Sequence, residues 1–388
     1  MKLNRRIQEI LPSSTLAITA RAKELKAEGR DVVNFAGGEP DFDTPEAIKQ
    51  AAVQAIQNGQ TKYTPSIGTL EIRKEISRKF QDDNGLSYAP DQIAVNCGAK
   101  HSVFAAVQVL ADEGDEVIIP SPYWVSYPEM VKFSGAVPKV IPTGASSHFK
   151  ITPQQLEEAV TDRTKVLILN SPSNPTGMVY TRDELAAIAE VCVKHDIFVI
   201  SDEIYEKLIY DGLEFVSFAS LGQEAYDRTI TVNGVSKAYA MTGWRIGYMA
   251  GPKEVMTYVK RLQDHSTSNP CSISQAAALA ALRSPADDLQ AMAAEFNARR
   301  DLLMSLIDEV DDLSYIRPQG AFYLFCDVSK LGDSFKTAQA ILNDVNVAMI
   351  PGEGFGAPGY VRISFATSQE RIREGIRRIA GWIQQQKA

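Results

Sequence analysis

The chain has 388 residues, of which 45% are hydrophobic and 23% charged, and a net charge of −8. That length exceeds what one core usually organises, so two domains are expected, and the acidic balance with both signs scattered argues against a nucleic-acid partner or an anionic membrane surface. Four separated cysteines (Cys97, Cys192, Cys271, Cys326) form no CxxC pair and read as buried thiols, and four histidines never come as HxxxH or beside a cysteine, so neither a disulfide framework nor a metal site is expected.

The amino-terminal "MKLNRRIQEILPSSTL" carries charges with no sustained apolar core behind them, so a secretory signal is not expected. No apolar run approaches the roughly 20 residues of a membrane span, and the cytoplasm is the expected address. Next, "TPEAIKQAAVQAIQNG" has a proline at a helix start, apolar spacing of three and four, and a closing Asn-Gly. "DQIAVNCG" and "GDEVIIPSP" are short strand-like runs ending in Gly or Pro. "TKVLILNSPSNPTG" reads as a buried strand entering a turn, and "RDELAAIAEVCVKHD" as an amphipathic helix. "IFVISDEIYEKLIY" is an apolar strand ending in acids, and "RTITVNGVSK" a shorter one. Beyond them "SPADDLQAMAAEFNARRDLLMSLIDEV" is a long helix, "GAFYLFCDVS", "VAMIPGEGF" and "GYVRISFA" are strands, and "SQERIREGIRRIAGWIQQQ" closes the chain as an amphipathic helix.

This alternation predicts an α/β fold: a large domain with a mostly parallel sheet between helices, plus a smaller α+β domain. The expected division is residues 1–44 joining the small domain, 45–283 forming the large one, and 284–388 the small one. In such sheets ligands sit beyond the carboxyl ends of the strands. That rule selects Gly98-Ala99-Lys100, Ser121 to Trp124, Asn170 to Gly177, Asp202-Glu203 and Ser236-Lys237.

Each candidate has a plain reading beside a functional one. Asp202 could cap a helix over "EIYEKLIY", or could anchor a cationic ring nitrogen. Asn174, between Ser173 and Pro175, is either part of a rigid turn or a stiffly held amide. Arg245, set among Trp244, glycines and apolar residues, needs an anion: a structural carboxylate, or a ligand phosphate or carboxylate. Arg362 in "GYVRISFA" could simply face outward from a strand. "GGEPDFDTP" and "GEGFGAPG" lack the GxGxxG spacing of a dinucleotide site. Lys237 sits in "VNGVSKAYAMTGWRIGYMAGP" among small residues that would leave room for a cofactor.

Taken together, "GEPDFDTP", "PYWVSYPEM", "NSPSNPTG", "SDEIYEKL", "SKAYAMTGWRIGY" and "VRISFATS" resemble the class I aminotransferases of pyridoxal-phosphate fold type I, over essentially the whole chain. The likeness is nearest to the bacterial branch of aspartate and aspartate/prephenate aminotransferases. It implies that Lys237 is joined to pyridoxal phosphate and moves the proton, with Asp202 on the ring nitrogen. Asn174 and Tyr205 would bond the ring's phenolic oxygen, and Trp124 would stack on the ring. Arg245, Ser236 and the Gly98-Ala99 backbone would hold the phosphate, with Tyr63 reaching in from the second subunit of a homodimer. Arg362 would take the substrate α-carboxylate with Gly38 close by, and Lys100 and Thr15 would favour a distal carboxylate. Many relatives have a serine phosphate ligand three positions before the lysine, where this chain has Gly234. The implied reaction is ping-pong transamination of aspartate or glutamate with a 2-oxo acid. The alternatives are an aromatic or prephenate aminotransferase, or a lyase on the same frame.

Overall fold

The computed structural model describes residues 4–12 and 14–387, the side chains of residues 14–17 lying outside that description. A seven-stranded sheet runs in the order Ile93–Asn96, Gly247–Ala250, Thr229–Gly234, Phe198–Asp202, Thr164–Asn170, Glu116–Ser121 and Val137–Pro142. All neighbours pair in parallel except at Gly247–Ala250, which is antiparallel to both strands beside it. The sheet is therefore mixed and mostly parallel, as the alternation predicts. Gly247–Ala250 and the half-exposed edge strand Val137–Pro142 are additions, because neither shows the long apolar run that marks the central strands.

Successive residues of the central strands feed opposite cores. Val166 and Ile168 pack with Val103, Val107 and Val259 on one face, while Leu167 and Leu169 meet Leu156, Leu185 and Ile188 on the other. Both faces are covered by helices, which is why these strands have no polar alternation. The helix Arg182–Lys194 illustrates the local logic. Thr181 accepts from the Glu184 amide, and Glu184 returns the bond to the Thr181 amide. Its Leu185, Ile188, Ala189 and Cys192, spaced by three and four, then turn inward.

A second, antiparallel sheet has the order Ile350–Pro351, Tyr360–Ser364, Tyr323–Asp327, Ser314–Tyr315. Phe296, Leu303 and Ile307 of the helix Asp287–Ile307 share its core with Ile341 of Ser334–Val345 and Ile372, Ile376 and Ile379 of Gln369–Lys387. The single strand expected over "VAMIPGEGF" is divided. Val347–Ala348 pairs in parallel with Val33–Asn34, Ile350–Pro351 joins the four-stranded sheet, and Gly352–Phe355 is a 3-10 turn. The amino-terminal segment is seated where Gly375 yields to Phe35, since a Cβ there would lie 2.4 Å from the ring.

No described helix is long and apolar enough to cross a membrane, and no cluster of metal-ligating side chains occurs among the described residues. The cysteines are all free, but only Cys192 and Cys326 are buried; Cys97 is half-buried and Cys271 exposed at the start of a helix, so the expectation of four buried thiols holds for two.

Candidate active site

The carboxyl ends of the central strands, the turn after Thr229–Gly234 and the amino-terminal segment enclose a cavity of about 420 Å³. Lys237 projects into it, and its Nζ donates to the Gly38 carbonyl at 2.5 Å. The amine also lies 5.8 and 5.6 Å from the ring centres of Tyr205 and Phe322, and among the described residues no carboxylate pairs with it. Burial first, then the cationic Arg362 and Arg245, pull its pKa down to about 8 against the opposing pull of Glu39 and Asp202. A lysine so placed reaches the neutral, nucleophilic form near physiological pH.

Asp202 ends its strand 4% exposed. Its Oδ2 accepts from the Tyr127 hydroxyl at 2.7 Å and its Oδ1 from the Ile204 amide at 3.3 Å. Burial raises its pKa to about 6, although both bonds and Lys237 act the other way. The cap reading fails, because residues 204–207 form turns and no helix.

Arg362 is 1% exposed, which overturns the outward-facing alternative. Nη1 donates to Asn174 Oδ1 and Nη2 to the Ala36 carbonyl, both at 2.9 Å, while Nε is buried with no partner. Its guanidinium stands 4.3 Å over the Tyr323 ring and 5.3 Å from that of Phe355. No carboxylate among the described residues neutralises it. A buried arginine that lacks a counter-charge and keeps an idle N–H is built for an anion from outside the chain. Asn174 is itself fixed, its amide donating to Asn170 Oδ1 at 2.8 Å. The Tyr205 and Tyr323 hydroxyls meet at 2.9 Å beside it.

At the other end Gly98, with φ +88°, precedes the helix Ala99–Leu110. Gly247 passes so closely that a Cβ would lie 2.1 Å from the Ala99 nitrogen. Arg245 covers Gly98 and donates to the carbonyls of Thr242, at 2.9 Å, and Cys97, at 3.3 Å. Its side chain is exposed and has no carboxylate partner among the described residues, so the structural-salt-bridge alternative falls away. A helix amino terminus, this guanidinium and the cavity-lining Ser236 together make an anion cradle. Gly234 is closely packed against the neighbouring strand. Its Cβ would come 3.0 Å from Gly247 Cα, 3.1 Å from the Ile246 oxygen and 3.2 Å from Ile204 Cδ1.

Trp124 and Lys100 complete the wall, the ammonium 4.8 Å from the indole. Burial and then Arg245 lower the pKa of Lys100. Two anticipated residues, Tyr63 and Gly98, do not line the cavity. Tyr63 is 90% exposed and outside the cavity. Thr15 falls in the helix Ser14–Ala27, and its side chain lies outside the described residues. Asn170, one of the strand-end candidates, stands behind Asn174, and the cavity also recruits groups that sequence reading did not assign: Tyr127 on Asp202, Tyr323, and Glu39, whose carboxylate accepts from Thr242 Oγ1 at 2.7 Å. Tyr127 had a signal, three residues after Trp124 in one aromatic motif. Tyr323 had none, since a core strand tyrosine looks alike wherever its hydroxyl ends.

A family model described as aminotransferase class I and II matches residues 30–379. An aspartate aminotransferase of Geobacillus stearothermophilus is 49% identical over 387 residues, covering 98% of both chains. An aspartate/prephenate aminotransferase of Thermus thermophilus is 45% identical over 382 residues, covering 97% of this chain and 98% of that one. The solved aspartate aminotransferase from Thermus thermophilus with maleate superposes with a TM-score of 0.95 at 44% identity, covering 98% of this chain and 99% of the other.

Proposed function

The chain belongs to the class I and II aminotransferases, and we propose that it is a pyridoxal-phosphate enzyme that moves the amino group of aspartate, or of glutamate, to a 2-oxo acid. One observation carries this reading. A lysine amine with a depressed pKa stands in one cavity between a buried, unneutralised carboxylate and a buried, unneutralised guanidinium. The cofactor suits both ends of that cavity. Asp202, strained by burial, would be relieved by a cationic ring nitrogen, and the cradle of Arg245, Ser236 and the Ala99 helix start suits a phosphate dianion.

When bound, pyridoxal phosphate supplies an aldehyde carbon for amines and a cationic ring that takes up the electron pair left at the substrate Cα. The protein does the rest. Asp202 keeps that ring cationic, and its bond from Tyr127 keeps the carboxylate aimed. Trp124 would cover the ring face, and Tyr205 and Asn174 would supply polar groups at its edge. Arg362 would receive the α-carboxylate through its N–H groups and so fix the orientation of the substrate Cα bonds. Lys237, as a free amine, would take the proton from the substrate Cα and hold it for return. Lys100 supplies a second cation for the distal carboxylate of a dicarboxylic substrate. The Gly38 carbonyl accepts from Lys237 and so helps to position the amine in the cavity. The family's homodimer would bring Tyr63 of one subunit to the phosphate of the other.

The test follows the visible spectrum of the loaded enzyme during the half-reaction. Aspartate should bleach the yellow form and 2-oxoglutarate restore it. Lys100→Ala should slow the aspartate step by about 10–100-fold and the step with a neutral amino acid by less than about threefold. Equal fractional loss on both substrates defeats the dicarboxylate assignment, and no bleaching by any amino acid defeats transamination.

A further inference from the structure

Behind the strand end, on the side away from the cavity, lies a second carboxyl with no place in the mechanism above. Glu203 is 1% exposed. Its Oε1 accepts three bonds, from Ser201 Oγ and Ser217 Oγ at 2.8 Å each and from the Phe218 amide at 3.2 Å. Its Oε2 is buried and has no partner. The charged groups facing it are committed elsewhere. The Lys79 ammonium pairs with Glu206 and lies 3.6 Å from Asp83, Asn84 donates to Glu206 at 2.9 Å, and Lys207 pairs with Asp83 at 2.8 Å. The remaining titratable neighbours are Asp202 and the buried phenols of Tyr88 and Tyr248, with Tyr239 beyond them. No cation among the described residues touches Glu203.

An ionised carboxylate in that setting would be a buried charge without a counter-ion, one residue from a carboxylate that must itself be charged. Hydroxyl and amide donors satisfy one oxygen, and a proton on the other removes the charge. We propose that Glu203 is a positioning residue for Asp202: a neutral carboxyl that ties the 217–218 turn to the end of the Phe198–Asp202 strand without placing a second negative charge behind the ring-binding acid. Burial first, and then the negative Glu206, push its pKa up to about 8, which supports the same assignment. The tie acts through the backbone, because the Glu203 amide also donates to the Val232 carbonyl at 2.9 Å and so continues the pairing that frames Asp202.

The role in catalysis rests on the function proposed above, but the state of Glu203 can be read without it. Infrared spectra of the cofactor-free and loaded protein at neutral pH should show a protonated-carboxyl band that disappears in Glu203→Gln. In steady-state assays Glu203→Ala should lower kcat about tenfold with KM for aspartate within about twofold, and Glu203→Gln should restore kcat to within about twofold of wild type. The inference is overturned if no band is lost, if Glu203→Ala is as fast as wild type, or if Glu203→Gln fails to restore kcat or to fold, since the amide reproduces a neutral clamp. Should Glu203→Ala not fold, the band and the activity of Glu203→Gln decide alone. A missing band in a protein that transaminates aspartate rejects this role only, whereas a band in a protein that does not rejects the proposed reaction only.

Discussion

Lys237 and Arg362 are both basic residues without a counter-charge, and burial treats them differently. The guanidinium stays protonated at any accessible pH and waits for an anion, while the ammonium sheds its proton. The sign of the consequence is definite. Capture of an aldehyde needs the neutral amine, and the amine's pKa lies near 8 instead of the usual 10.5. Pyridoxal-phosphate uptake by cofactor-free protein should therefore accelerate as pH rises through about 8 and level off above it. Stopped-flow absorbance across pH 6–11 would check this, and a midpoint near an ordinary lysine value would mean that burial does not act as argued. At this scale the residue types were legible, because a lone lysine among small residues and arginines set among glycines and apolar residues are visible in the text of the chain. What could not be read was that Asn174 Oδ1 and the Ala36 carbonyl hold the Arg362 fork, or that Tyr127 holds Asp202. Those contacts span 188, 326 and 75 residues.

Among the elements, the antiparallel Gly247–Ala250 strand has an influence beyond its four residues. It passes beneath the start of the Ala99–Leu110 helix with only a glycine hydrogen to spare, and so fixes the helix terminus against Arg245 and Ser236. Gly247→Ala puts a methyl where the Ala99 amide stands. Overpacking of this kind costs about 1–3 kcal/mol, and here the helix terminus must move to relieve it. Cofactor affinity should fall by about tenfold or more, measured by titrating cofactor-free protein and following quenching of tryptophan fluorescence. An unchanged affinity would show that the terminus does not need this register. The strand escaped sequence reading because its role in the cradle comes from closeness to another backbone. Long apolar strands and capped helices such as Arg182–Lys194 were legible because their signals are local.

For the whole molecule, we propose that the chain divides at residues 44 and 283, with the first segment completing the small domain through the Val33–Asn34 pairing with Val347–Ala348. Tyr63 points out of its own subunit, and Val53, Ile56 and Leu70 nearby in the chain are also exposed. We propose that a second copy covers this face and brings Tyr63 to its partner's phosphate cradle. Tyr63→Phe should weaken cofactor binding in the homodimer. Mixed dimers of Tyr63→Phe chains with Lys237→Ala chains should regain wild-type affinity at the one competent site, because its Tyr63 then comes from the other chain. Persistent weakness in the mixed dimer would place Tyr63 in its own subunit's site. The sequence by itself determined the class of fold, the succession of strands and helices, and which residues carry charge or a nucleophile to the strand ends, because periodicity, capping and side-chain chemistry are properties of neighbours along the chain. Tertiary structure alone decided that Lys237 is short of a counter-ion, that Asp202 and Arg362 are buried without one, and that a side chain at Gly234 would crowd the backbone of Gly247 and Ile246. Desolvation and steric fit are set by whatever the fold packs around a group, and most of those neighbours are distant in sequence.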